Sequence, residues 1–255
     1  MSDKPPSPAD KKPASYGEDD MTRASGWDAL LDDLFGLNVR ALKTMVAALF
    51  SPARLFEAAR DVDWLGRYTP SIRLVFTLIA AVVFLKFLWV NDTSGLFAYT
   101  QATMEAMGTE FPGRTYEEAA RDYLAALLVT YPFSYFGVHA VFALMLNIWG
   151  KGTPLPVRIR LYFAGLLPVL LAGVVMTVVY GALSADALDQ TMVIGFCLML
   201  GLYILTLYRG LSPAHRGAGR AARSVLGAVV MLGADLVVSG VSSLLAVTLL
   251  FTGGA

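Results

Sequence analysis

Asp235, His139 and Lys86 sit inside apolar runs of the chain. A charged group in hydrocarbon costs a few kcal/mol, so each invites a reason for its presence. Asp235 lies about ten residues into the run 225–251, and His139 about ten residues from the inner end of the run 123–149, which puts both near mid-membrane. An acid and an imidazole at one depth can relay a proton or a cation. The same pair can instead clasp helices together by hydrogen bonds, alongside Tyr131, Asn147 and Ser239. Lys86, near the outer end of the run 72–90, can snorkel to lipid headgroups. It can also reach toward Asp235, a depth difference of about four residues or roughly 6 Å. A second set is basic: Arg54, Arg60 and Arg67 before the first run, and Arg209, Arg216, Arg220 and Arg223 before the last. These suit anionic lipid headgroups, although the positive-inside rule alone places cations there as well.

Other chemistries find little material. Cys197 is the one cysteine, so neither an intrachain disulfide nor a cysteine metal site is expected. The two histidines, His139 and His215, are far apart in sequence. No G-x-S-x-G, H-E-x-x-H or G-x-x-x-x-G-K-[ST] pattern occurs. Gly217-Ala218-Gly219-Arg220 follows no strand and is not a phosphate loop. The chain is expected to be no enzyme and to hold no cofactor and no metal. Its formal net charge of +0 gives no basic excess for nucleic acid.

The elements that must position these residues are membrane spans. Hydrophobic residues make up 56% of the 255, the charged fraction is 16%, and the mean hydropathy is +0.58, well to the apolar side of a soluble domain. In the stretch 51–90 a short amphipathic helix is followed by Tyr68-Thr69-Pro70 and then by an apolar run whose only charges, Arg73 and Lys86, stand near its ends. About nineteen helical residues cover roughly the 30 Å hydrocarbon layer. Four more runs follow, giving spans at about 72–90, 123–149, 161–183, 188–208 and 225–251. Pro132 and Pro168 fall inside spans, where neighbouring helices can satisfy the freed carbonyls. Thr115-Tyr116-Glu117-Glu118 reads as a capping box starting a helix outside the bilayer.

Residues 1–25 are polar and proline-rich, with no apolar core for a signal peptide, and read as a disordered tail. Between 26 and 67 lie amphipathic helices: Trp27, Leu30, Leu31, Leu34 and Phe35 form one stripe, and Leu42, Met45, Val46, Leu49 and Phe50 a second. Ser51-Pro52 restarts the chain as a third helix, with serine as N-cap and Leu55, Phe56 and Ala59 on one face. Such helices either lie in the headgroup plane or cap the bundle. Residues 68–255 form the membrane domain. Basic residues cluster before span one, between spans two and three, and between spans four and five, so the N-terminus is expected in the cytoplasm and the C-terminus on the outer side. The loop 91–122 is acidic, and Leu96, Phe97, Met104, Met107 and Phe111 can dock part of it as a short helix. Small residues at Ser239, Ser242, Ser243 and Ala246, with Gly165, Gly173, Gly195 and Gly201, permit close helix packing, within one chain or between two copies.

Three stretches resemble the Yip family, membrane proteins first named as interactors of Ypt/Rab GTPases, with many bacterial relatives. They are Leu49-Phe50-Ser51-Pro52-Ala53-Arg54-Leu55-Phe56 before span one, Leu161-Tyr162-Phe163-Ala164-Gly165-Leu166-Leu167-Pro168 opening span three, and 201–225, where Tyr203 and Tyr208 precede a basic hinge ending in Arg220-Ala221-Ala222-Arg223. The resemblance covers roughly residues 40–250. It implies a five-span scaffold or trafficking-type protein without catalysis, and carries over no catalytic residue. The Asp-Leu-Tyr-Gly-Pro box of eukaryotic members is absent, so it does not extend to GTPase binding. Fourteen arginines against six lysines suit a GC-rich bacterial genome.

The expected protein is thus an all-α, polytopic scaffold or adaptor in a bacterial cytoplasmic (inner) membrane. Its partners are the lipid bilayer, a membrane or cytoplasmic protein, and a second copy of the chain. The alternative is a small transporter or channel using an Asp235/His139 polar pathway.

Overall fold

The computed structural model describes residues 39–61, 67–89, 94–108, 111 and 113–252. The expected tail and the first amphipathic stripe, built on Trp27, lie outside the described residues. Regular structure among the described residues is helical: α1 (Val39–Phe50), α2 (Pro52–Ala58), α3 (Ser71–Trp89), α4 (Gly95–Met107), α5 (Tyr116–Met145), α6 (Leu155–Gly181), α7 (Ala185–Gly210) and α8 (Gly217–Thr252). Of these, α3, α5, α6, α7 and α8 are long and apolar enough to cross a membrane. Phe76, Phe87, Phe133, Val193, Ile194 and Leu244 point outward with 61–76% of their surface exposed. Water would penalise such a surface and lipid tails would not. The chain is an all-α integral membrane protein.

The centre of the bundle is α6, which is apolar around its whole circumference and is buried accordingly. Ten consecutive residues, from Leu161 through Leu170, are buried. Helices α1, α3, α5 and α7 pack around it. At Gly165 a Cβ would stand 3.1 Å from Met231 Cε, so the missing side chain leaves room for the tip of that methionine from α8. The proline-containing stretch that opens span three is therefore core.

The most extensive helix pairing is α5 with α8. Ser242 and Ala246 are buried in it, and Thr130 Oγ1 donates to the Ser242 carbonyl at 3.2 Å. Tyr123 donates to Ser243 Oγ at 3.0 Å. The small-residue spacing in α8 thus serves packing within one chain, while Ser239 is exposed.

Helix ends depart from the sequence reading in two places. The capping box at the start of α5 is present: Thr115 Oγ1 accepts from Glu118 N–H at 3.2 Å, and Glu118 Oε2 accepts from Thr115 N–H at 2.9 Å. The far end corrects the expected span 123–149, because α5 stops at Met145 and Leu146 is extended. The cause is tertiary. Trp149 is fully buried, its ring 5.8 Å from that of Phe56 on α2. Side chains from elsewhere serve the carbonyls that a continuing helix would have used. Arg158 donates to the Leu144 carbonyl at 2.9 Å and Arg60 to that of Trp149 at 2.7 Å, while His215 Nε2 donates to that of Ile148 at 3.0 Å. At Ser51 the helix restarts with Pro52 in its first turn, as expected, but the serine side chain makes no capping hydrogen bond. Ser51 still donates its N–H to Ala47 at the end of α1, and its backbone is not in the extended form a serine cap uses.

In α2, Leu55, Phe56 and Ala59 are buried as expected. In α1 the apolar stripe faces away from the protein: Ala41, Thr44 and Ala48 are buried against the bundle, while Leu42 and Phe50 are 60% and 67% exposed. Short side chains allow the close approach, and Thr44 Oγ1 accepts from the buried Thr69 N–H at 2.9 Å. Part of the loop 91–122 docks as α4, with Ser94 as N-cap and Phe97 and Met104 buried, whereas Met107 stays 70% exposed. Gly95 has no room for a side chain beside the Leu183 carbonyl.

Candidate functional site

His139 and Asp235, 96 residues apart in sequence, meet inside the bundle. His139 Nε2 lies 3.1 Å from Asp235 Oδ1, and His139 Nδ1 lies 2.9 Å from the Tyr162 hydroxyl. Tyr203 donates to the other carboxylate oxygen, Asp235 Oδ2, at 2.7 Å. The chain Tyr162–His139–Asp235–Tyr203 ties together α6, α5, α8 and α7.

One arrangement of protons satisfies every group. Tyr162 O–H donates to Nδ1 of a neutral imidazole, Nε2–H donates to the carboxylate, and Tyr203 O–H donates to its second oxygen. His139, Tyr162 and Tyr203 are fully buried, and the Asp235 side chain is 15% exposed. The Tyr135 ring packs 4.1 Å from the imidazole. Unmet donors and acceptors in such a place would be costly, and here they are met.

The helix registers give the depth. His139 is six residues from the end of α5, and Tyr162 and Tyr203 are each seven from the nearer ends of α6 and α7. At 1.5 Å per residue, the network is roughly 9–11 Å from those ends. Those three residues are thus nearer the basic ends of their helices, while Asp235 sits at the middle of α8, 18 residues from Gly217 and 17 from Thr252.

Tyr162 and Tyr203, the two groups that close the network, were not among the expected hydrogen-bonding partners. Tyr131 instead packs tilted against Tyr135, with ring centroids 5.9 Å apart, while Asn147 and Ser239 are exposed. The sequence holds a signal for this packing: Tyr131, Tyr135 and His139 recur every four residues, which aligns them on one face of α5. No comparable signal marks Tyr162 or Tyr203, since the partner of each is on another helix.

Lys86 neither snorkels outward nor reaches Asp235. Its ammonium lies over the Tyr131 ring, 5.2 Å from the centroid. Side chains on a helix lean toward its N-terminus, and Lys86 is in the last turn of α3, so it leans back into the bundle.

The basic residues gather at one end, and several hold structure. Arg60 binds the Trp149 carbonyl and Arg209 that of Phe50. Arg67 pairs with Asp61. Arg220 donates to the Tyr208 hydroxyl at 2.7 Å and lies over its ring, and Arg223 donates to the Gly219 carbonyl. Arg54 and Arg216 are exposed. Partial burial lowers the pKa of Arg60 from the ordinary arginine value.

These features define an integral membrane protein with five membrane-spanning helices, whose polar centre is a four-residue hydrogen-bonded chain. Comparison with protein-family models, curated proteins and solved structures found no match to it.

Proposed function

We propose that this protein is a non-enzymatic membrane scaffold or adaptor of the Yip type, set in a bacterial cytoplasmic membrane with its N-terminus in the cytoplasm. The observation that carries this reading is the exposed stripe on α1. Leu42, Val46, Leu49 and Phe50 face outward from a helix already fastened to the bundle by its opposite side. A basic end bearing Arg54 and Arg216 adjoins it, which suits a helix lying at an anionic lipid surface. There it can present the cytoplasmic segment to a partner. Closure of the His139–Asp235 network by two buried phenols favours a structural clasp over a transport path, which would need polar groups continuing toward water at both ends.

Crosslinking in native-lipid particles tests the reading. A second protein recovered in fixed ratio from the wild type, and lost from Leu42→Glu/Leu49→Glu while the bundle stays folded, is the expected result. Recovery of the chain alone, together with proton or cation flux in liposomes that Asp235→Asn removes, would sink it and establish the transporter alternative.

A further inference from the structure

A cavity of about 660 Å³ opens in the half of the bundle remote from the basic end, between α3, α4, α5 and α8, with Met192 of α7 also in its wall. Its volume is that of a small-molecule site. The wall is mainly apolar, with Leu96, Met104, Leu127 and Val247 among its residues, and among the described residues Lys86 is the single cation in it. Among the described residues no carboxylate pairs with Lys86; the Tyr131 ring face is what meets its ammonium. The quadrupole of one ring compensates a half-buried cation only in part.

Beside the cavity lies a groove on the lipid-facing surface. It is shallower, about 460 Å³, runs between α3 and α5 along Phe76, Phe84, Phe87 and Pro132, and shares Val83 and Leu128 with the cavity wall. Phe76, Phe84 and Phe87 are each at least 60% exposed on the outer face. The groove thus adds an apolar, lipid-facing bed directly beside the cavity wall.

We propose that this cavity binds an anionic acyl amphiphile, its hydrocarbon chain lying in the groove and cavity and its carboxylate or phosphate paired with Lys86. The two requirements, an apolar bed and one half-buried cation, are those of a molecule with one long apolar tail and one oxyanion head. The site shares no residue with the Tyr162–His139–Asp235–Tyr203 chain or with the α1 stripe, so it stands whether or not the chain is a scaffold.

The test uses the whole protein in phosphatidylcholine nanodiscs, titrated with oleic acid, oleoyl lysophosphatidic acid and oleyl alcohol and read by native mass spectrometry. Both anions are expected to bind at least about tenfold more tightly than the alcohol. Lys86→Gln should abolish that preference, Lys86→Arg should keep it, and Leu127→Trp should lower occupancy by all three. Thermal unfolding of each variant checks that the bundle persists. Lipid extracted from protein purified out of its own membrane then distinguishes the sources, a phospholipid or a free fatty acid. Equal binding of acid and alcohol by the wild type would overturn the proposal, as would a preference that survives Lys86→Gln in a folded protein.

Discussion

The imidazole of His139 and the carboxylate of Asp235 stand 3.1 Å apart and join α5 to α8, with Tyr162 behind the one and Tyr203 behind the other. Each residue has one further hydrogen-bond partner, a phenol, and loses its contact across α5 and α8 when the other is removed. The stability of the bundle therefore depends on the pair as a unit.

Asp235→Leu and His139→Leu are each expected to destabilise the protein by about 1–3 kcal/mol, since each leaves a buried polar partner unmet. The double variant should cost less than the sum, by at least about 0.5 kcal/mol. Thermal or denaturant unfolding in detergent measures this. Strict additivity would show that the two groups do not interact.

The two phenols should be unequal. Tyr203→Phe removes a hydrogen bond to a carboxylate, at a cost of about 1.5–3 kcal/mol, whereas Tyr162→Phe removes one to a neutral ring, at about 0.5–1.5 kcal/mol. The same unfolding measurement ranks them. The reverse order would mean that His139 and Asp235 share their protons differently, with the charge on the imidazole side.

Gly210→Ala should loosen α2. A Cβ there would come within 2.5–2.9 Å of three Phe56 ring atoms, and a rigid ring cannot fold away as a flexible chain end can. An overpacking cost of about 1–3 kcal/mol is expected. A changed Trp149 fluorescence should accompany it, since Phe56 packs edge-on against that indole. Wild-type emission with unchanged stability would show that α2 is not held by this contact.

Thr115→Ala should cost about 1 kcal/mol by removing the cap of α5, and Thr115→Ser should recover most of it. Hydrogen exchange at the first turn of α5 reads the effect locally. Protection unaltered in the alanine variant would count against the capping box.

Hydropathy alone determined much of this protein. A run of apolar residues long enough for the bilayer must be helical, because lipid offers its backbone no hydrogen-bond partner. Spans one, three, four and five could therefore be placed along the chain, and the Thr115 cap, being a contact between residues three apart, could be read directly. What decides the rest is not local. The end of α5 depends on Arg158, Arg60 and His215 reaching carbonyls from other parts of the chain, and the outward turn of the α1 stripe depends on which face fits α6 more closely. His139 and Asp235 are each conspicuous in the sequence as polar residues among apolar ones. That they touch, and that Tyr162 and Tyr203 close the chain, follows from the packing of four helices whose relative rotation no local pattern encodes. Lys86 is the clearest case: its depth is legible, but the direction of its side chain and the cavity around it exist only once α3, α4, α5 and α8 are assembled.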